Sequence, residues 1–468
     1  MAGLDNPRPR RRPVRRVAAA SVAAVGFLAV GLGLSTVAMS GLRQPAAGPD
    51  AAVVAPGSGG ASTLTSASPA ASPGLAASPT PSPSLIVQPT PAPTGPASGP
   101  RTRSEIRATA VRKRLQAELD AARERLGIPG VSVTVLFRDG SSWTGTSGRA
   151  DVARRVDVTP DTAFAIASVS KTYTAALILD LAREGLLDLD TPARKYLPKA
   201  AIDPRITVRQ LLDHTSGLDD FFLHPPIDKA LLANPGTAWS ISRTLKYVGK
   251  PYFPPGRGWH YSNTNYVYLG LIAESVTGGP IATGLRERFF GPLELDGTWY
   301  QVAEKPTGPL AHGYRFKSGK LTEPPIDLSV KARVAPFTSV ITAAAAAGSI
   351  AATSPDAARW ARLLYSGNVV GPAMTAAMLD GVAITATYKP RVPYGLGVQA
   401  FPIGGRHAVG HSGRLLGFRS SVRHLPADGV TIAVLTNQSR ADPSVIVADL
   451  LSIVFAPEPP CFRCQRPL

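Results

Sequence analysis

The sequence predicts an α+β domain: an antiparallel sheet flanked by helices from both chain ends, plus a mostly helical subdomain inserted between them. Three observations carry this. Near the front, Thr102 to Leu126 spaces Ile106, Val111, Leu115 and Leu119 among Arg, Lys and Glu, a helical pattern that Pro129-Gly130 ends. VSVTVLF (131–137), the turn RDG and SSWTGTS (141–147) then read as a hairpin. Near the end, GLGVQAF (395–401), RHAVGH (406–411), FRSSVRH (418–424) and VTIAVLT (430–436) read as successive strands, followed by an apolar helix from Ser444 to Phe455. The middle, about 165–375, is mostly helical with proline-rich loops. A sheet made from both chain ends beside a helical block leaves a seam, where a cleft is expected.

The chain's 468 residues exceed one average domain, but composition shortens the folded part. Residues 51–100 contain no charged side chain, and Pro, Ala, Ser, Thr and Gly dominate. Such a segment buries too little apolar surface to offset its ordering entropy, so 44–104 is expected to be a disordered tether. Ahead of it, six arginines between Arg8 and Arg16 precede an uncharged run from Val17 to Leu42. Residues 1–43 therefore read as a cytoplasmic basic segment with a membrane anchor, or as a cleaved export signal. The folded domain is expected to span 105–457, and 458–468 is a tail holding Cys461 and Cys464. One CxxC is half a zinc site and has no second half in this sequence, so it reads as catalytically silent, with a local disulfide as the alternative.

The net charge is +18. Part belongs to the N-terminal topology signal, and apart from a cluster at Arg101 to Arg114 the rest is dispersed over the domain without a nucleic-acid motif. Nucleic acid is not an expected partner. An anionic membrane face or acidic wall polymers are.

Chemistry is carried by three short words. In FAIASVSKTYTAALILDLAREG (164–185), Ser168 and Lys171 stand three apart, and Lys171 is the only lysine of the chain with a serine at that offset. On a helix such residues share a face, placing the amine within reach of the hydroxyl. A serine hydroxyl needs an adjacent base, and a desolvated lysine can be one. The plainer alternative is a capping serine with a snorkelling lysine. In PPGRGWHYSNTNYVYLG (254–270), Tyr261-Ser262-Asn263 falls at a loop-to-helix junction, where Ser262 or Asn263 has capping as its ordinary use. In GHSGRLLGF (410–418), His411 lies on or at the end of a core strand beside Gly413, which permits close backbone approach.

Their order, Ser-x-x-Lys, then Tyr-Ser-Asn about ninety residues on, then His-x-Gly near the last strands, resembles the penicillin-recognising serine acyl enzymes: class C β-lactamases, D-alanyl-D-alanine carboxypeptidases and related serine esterases. ITVRQLLDHTSGLDD (206–220) and AAGSIAATSPDAARWARLLYSG (346–367) are similar to stretches of that family as well. The resemblance implies a β-lactamase/transpeptidase-like fold with Ser168 as acylated nucleophile, Lys171 as its partner in proton transfer and Tyr261 as general base and acid. It implies that Asn263 binds the acyl-side carbonyl, that His411 stands where β-lactamases carry a lysine, and that the amides of Ser168 and Arg414 form the oxyanion hole. The bulk of Arg414 departs from the small residue usual there, and His214 and Ser216 are implied to be structural. No metal or organic cofactor is implied. The expected function is an exported, membrane-tethered serine hydrolase, D-alanyl-D-alanine carboxypeptidase-like on peptidoglycan peptides. An esterase or weak β-lactamase on another small acyl donor is the alternative within the class, and a catalytically idle wall-binding module the alternative outside it.

Overall fold

The computed structural model describes residues 103–316, 324–329, 333–380, 383–385 and 393–457. The basic N-terminal segment with the run 17–42, the tether, Cys461 and Cys464 lie outside the described residues. Among the described residues, no helix is long and apolar enough to cross a membrane.

From the front of the chain come α1 (Arg103–Arg125), β1 (Gly130–Leu136), β2 (Ser142–Asp151) and β3 (Val156–Asp157). The middle supplies β4 (Phe164–Ala165), α2 (Ser170–Arg183), α3 (Val208–Leu212), α4 (Pro225–Ala233), α5 (Ile241–Leu245), α6 (Asn263–Thr277) and α7 (Ile281–Leu285). It continues through β5 (Thr298–Tyr300), β6 (Tyr314–Arg315), β7 (Ile326–Asp327), α8 (Thr338–Ala344), β8 (Ile350–Ala352), α9 (Ser354–Tyr365) and α10 (Gly371–Leu379). The end brings β9 (Ala383–Ile384), β10 (Pro393–Tyr394), β11 (Gln399–Ile403), β12 (Arg406–Leu415), β13 (Phe418–Leu425), β14 (Val430–Thr436) and α11 (Pro443–Val454).

The main sheet runs β3-β2-β1-β14-β13-β12-β11-β10-β9, every pair antiparallel. Both chain ends therefore build it, as the sequence predicts, and they meet where Val131 lies opposite Thr436 and Leu136 opposite Thr431. Strand alternation sorts the side chains to two faces. Val131, Val133, Val135, Ile432 and Val434 form one core with Leu115 and Leu119 of α1 and Ile446 and Leu450 of α11. Ala433 and Leu435 face the other way, into the larger core that contains Trp360 of α9 and Leu177 and Ile178 of α2. On that second face Ser132 and Thr134 of β1 each bond the Ser354 hydroxyl at 2.8 Å, docking the start of α9.

One strand starts later than expected. Gly395 to Val398, read as the front of a strand, is instead a turn: the Gly395 N–H donates to Val398 O at 2.9 Å, and Gly397 has φ of 82°. A Cβ at Gly397 would lie 2.6 Å from Ala175 Cβ, so this turn presses directly onto α2. A positive φ breaks the pleat, and the strand resumes at Gln399.

Trp360 couples the sheet layer to α2. Its ring stacks on Tyr173 with centroids 4.0 Å apart, and its indole N–H donates to Thr172 Oγ1 at 2.9 Å. Both aromatic residues are buried. Trp360→Ala is expected to cost about 3–5 kcal/mol, through lost burial plus a residual cavity. Chemical denaturation reads it as a lowered midpoint at an unchanged slope.

Candidate active site

β4 runs into a 3₁₀ turn, Ala167–Val169, before α2 begins at Ser170. Ser168 thus sits in this turn, two residues ahead of the helix rather than at its start, where the sequence reading places it, and is half-buried. Ala167 holds φ at 51°, a left-handed conformation that costs a non-glycine residue of order 1 kcal/mol. The surroundings enforce it. Ile166 donates its N–H to Ile350 O at 3.0 Å, and its carbonyl accepts from Ser420 Oγ at 2.7 Å. Gly413 of β12 presses on the same turn: a Cβ there would stand 2.2 Å from Ile166 O and 2.3 Å from Ser420 Oγ.

Lys171 is fully buried, and its Nζ has three oxygen neighbours: Asn263 Oδ1 at 2.7 Å, Ala347 O at 2.7 Å and Ser168 Oγ at 3.2 Å. Burial pushes the ammonium down to about 7, while the negative charge of Asp220 works in the opposite direction. A neutral amine has two hydrogens and one lone pair. The two short contacts can take both hydrogens, which leaves the lone pair facing the Ser168 hydroxyl. The aromatic faces of Tyr261 and Tyr266 complete the enclosure, with ring centroids 5.0 and 5.3 Å from Nζ.

Small residues make room for this. In the run from Ala343 to Gly348, Ala347 offers its carbonyl to Lys171 and Ala346 offers its own to Thr174 Oγ1 at 2.8 Å. A Cβ at Gly270 of α6 would lie 2.7 Å from Ala346 Cβ, so α6 packs directly on the alanine ribbon.

Tyr261 is buried at the entry to α6, and Asn263 is the first residue of that helix. Ser262 stands at the capping position without a side-chain cap, and its hydroxyl donates to Asp219 O at 3.0 Å. The expected capping use is therefore absent. Asn263 is oriented on both sides: Oδ1 accepts from Lys171, and Nδ2 lies 2.9 and 3.2 Å from the two Asp220 carboxylate oxygens. Asp220, which the sequence reading does not single out as functional, is fully buried and pushed upward by that burial, against the Phe222 N–H, Lys171 and Asn263.

His411 and Gly413 lie in the interior of β12 rather than at its end. β11 pairs with β12 only from Arg406 to Gly410. Beyond that point the Ser412 N–H turns to the open side and is met by the Gln399 side-chain oxygen at 3.0 Å. Two residues on, strand alternation turns the Arg414 N–H to the same side. The Arg414 side chain is exposed. The structure thus brings Ser168, Lys171, Tyr261, Asn263, His411 and the Gly413-Arg414 edge to one place, and adds Asp220, the Ala347 carbonyl and Tyr394, whose hydroxyl meets His411 Nε2 at 2.9 Å.

Gly413→Ala is expected to force β12 off the nucleophile turn and cost about 1–3 kcal/mol by overpacking. Gly236→Ala, where an added Cβ meets nothing within 4 Å, is the control and is expected to stay within about 0.5 kcal/mol. Parallel denaturation curves compare the two.

Residues 115–453 match the Beta-lactamase family. Among curated proteins, the chain is 27% identical over 334 residues to "Unguisins hydrolase ungD'" of Aspergillus campestris (strain IBT 28561), covering 67% of this chain but only 59% of that longer protein. It is 31% identical over 338 residues to "Penicillin-binding protein 4" of Amycolatopsis lactamdurans, covering 69% of this chain and 84% of the relative. Among solved structures it is similar to a D-stereospecific amidohydrolase from Streptomyces sp., with a TM-score of 0.62 and 29% identity over 74% of this chain and 98% of that one. With a fold, a chain-wide family match and a serine–lysine pair that agree, this chain belongs to the Beta-lactamase family, among whose members are penicillin-binding proteins.

Proposed function

We propose that the protein hydrolyses amide bonds next to D-amino acids through an acyl-enzyme, as a D-alanyl-D-alanine carboxypeptidase-like enzyme on peptidoglycan peptides. The observation that carries this reading is the buried Lys171 nitrogen, held by two short acceptors and lying 3.2 Å from Ser168 Oγ, where in its neutral form its lone pair can take the hydroxyl proton. The similarity to a penicillin-binding protein and to a D-stereospecific amidohydrolase supports the choice of acyl donor. The basic segment, apolar run and tether at the N-terminus support an exported domain held at the membrane, within reach of wall peptides.

In this reading Ser168 Oγ attacks the scissile carbonyl while its proton passes to Lys171. The carbonyl oxygen becomes an oxyanion between the Ser168 and Arg414 N–H groups, and removing one such donor typically costs about 3–4 kcal/mol of barrier. Tyr261, its ring 5.0 Å from the Lys171 nitrogen, relays the proton to the leaving nitrogen as the C–N bond breaks. Water then attacks the ester, giving up a proton by the reverse route and releasing the acid and free Ser168. Arg414, exposed beside the oxyanion edge, supplies a cation for the free carboxylate of a terminal D-residue. Asn263, its amide nitrogen held by Asp220 and its oxygen by Lys171, keeps the amine in line with the nucleophile.

Fluorescent penicillin or an activated phosphonate is expected to label the wild-type chain covalently and to leave Ser168→Ala unlabelled. Absence of label from every acyl donor and phosphonate on the wild type would refute the enzyme. Turnover of a D-alanyl-D-alanine peptide, compared with its L,L isomer and a short nitrophenyl ester, identifies the donor. Asp220→Asn carries a signed prediction. Its negative charge holds the Lys171 ammonium up, so removing it lowers that pKa further and moves the rising limb of the acylation rate to lower pH. A limb that stays in place or moves upward contradicts this assignment of the base.

A further inference from the structure

A buried hydrogen-bond chain crosses from the helical part to β12, and both of its ends are backbone groups. It starts at the Leu218 N–H, which donates to Ser216 Oγ at 3.1 Å. The Ser216 hydroxyl donates to Asn265 Oδ1 at 2.6 Å, which fixes the amide so that Asn265 Nδ2 donates to His214 Nδ1 at 2.9 Å. The Ser262 N–H reaches the same nitrogen at 3.2 Å. His214 Nδ1 therefore carries no proton. Its Nε2–H donates to the Tyr394 oxygen at 3.2 Å, and the Tyr394 O–H donates to His411 Nε2 at 2.9 Å. His411 in turn carries its proton on Nδ1 and donates to the Ser412 carbonyl at 2.6 Å.

A backbone N–H can only donate and a backbone carbonyl can only accept, so the chain runs in one direction throughout. Ser216, Asn265, His214, Tyr394 and His411 are all at most 1% exposed, which puts reversal through water out of reach. His214 is held for this purpose in a left-handed backbone conformation, φ 65°, directly after α3. The rings of Tyr261 and Trp259 close around it, with centroids 4.4 and 5.9 Å away.

We propose that Tyr394 is a positioning residue: its hydroxyl, directed by His214, holds His411 as the uncharged Nδ1–H tautomer and through that ring fixes the Ser412 carbonyl beside the oxyanion edge. A proton on His411 Nε2 would meet the Tyr394 hydrogen head-on and turn it off its line. The charged groups around the pair act in the same sense. Burial is the main cause that pushes both imidazoles well below their ordinary value, and any positive charge on Lys171 or Arg423 beside His411, and on Lys171, His411 or His260 beside His214, adds to it. The substrate therefore meets a neutral ring at this position, and the cation for an anionic substrate group has to come from elsewhere, such as Arg414.

The state of these rings is readable in the resting enzyme, so the test does not depend on the proposed reaction. The full chain, with ¹⁵N in the ring nitrogens of its seven histidines, is followed by two-bond ¹H–¹⁵N correlation between about pH 5 and 8, where a free imidazole titrates. His214→Asn and His411→Asn assign the signals. The expected result is a pair of opposite single tautomers, His214 with its proton on Nε2 and His411 on Nδ1, neither titrating. In Tyr394→Phe, His411 is expected to lose its single tautomer and show an Nε2–H population or a titration within that range. A wild-type His411 that is an imidazolium or an Nε2–H tautomer near neutral pH overturns the proposal, as does a Tyr394→Phe spectrum identical to the wild type. Should Tyr394→Phe fail to fold, the wild-type tautomer pair decides alone: opposite tautomers as described support the relay, and any other pairing rejects it.

Discussion

The desolvation of one amine organises this molecule. Lys171 lies in the first turn of α2 with no route to water, and a charge there would cost several kcal/mol unless matched. The protein answers with oxygens placed from three directions: the turn before α2, the first residue of α6 and the alanine ribbon before β8. Each of these needs its own support. Asn263 is oriented by Asp220, the ribbon by the absence of a side chain at Gly270, and the turn by Gly413 and Ser420 of the sheet. The site lies at the seam between sheet and helices because those supports come from both layers.

Most of the sheet was legible in advance because its signal is local. A strand with one face on α1 and α11 and the other on α9 reads as apolar residues interleaved with Ser and Thr, and VTIAVLT coincides with β14 at both ends. The start of β11 was not legible, since Gly395 and Gly397 look like strand residues until the positive φ and the close approach to α2 are seen. The 3₁₀ turn at Ser168 was hidden for a related reason: the spacing to Lys171 is the same on either helix type, and only contacts from β8 and β13 tighten the turn.

Residue types announced the site only where order and spacing were distinctive. Ser168, Lys171, Tyr261, Asn263 and His411 form such a set. Asp220 does not, because its partner Asn263 is 43 positions away and an aspartate in a loop ordinarily reads as solvated. Tyr394 carries still less signal. It sits 17 positions before His411 on a different strand and 180 after His214, so only the folded sheet reveals what its hydroxyl joins. The alanine run from Ala343 to Ala347 looks like a plain helical stretch, and its value lies in what it omits: a larger side chain at Ala346 would collide with α6 at Gly270.

The pairing of β1 with β14 joins segments at opposite ends of the domain; Gly130 donates its N–H to Asn437 Oδ1 at 2.6 Å across 307 positions. Contacts of that separation form late and slowly. A growing polypeptide has Ser168, Lys171 and the residues that enclose the amine in hand before β12 to β14 exist, so the Gly413-Arg414 edge is the last part of the site to be assembled.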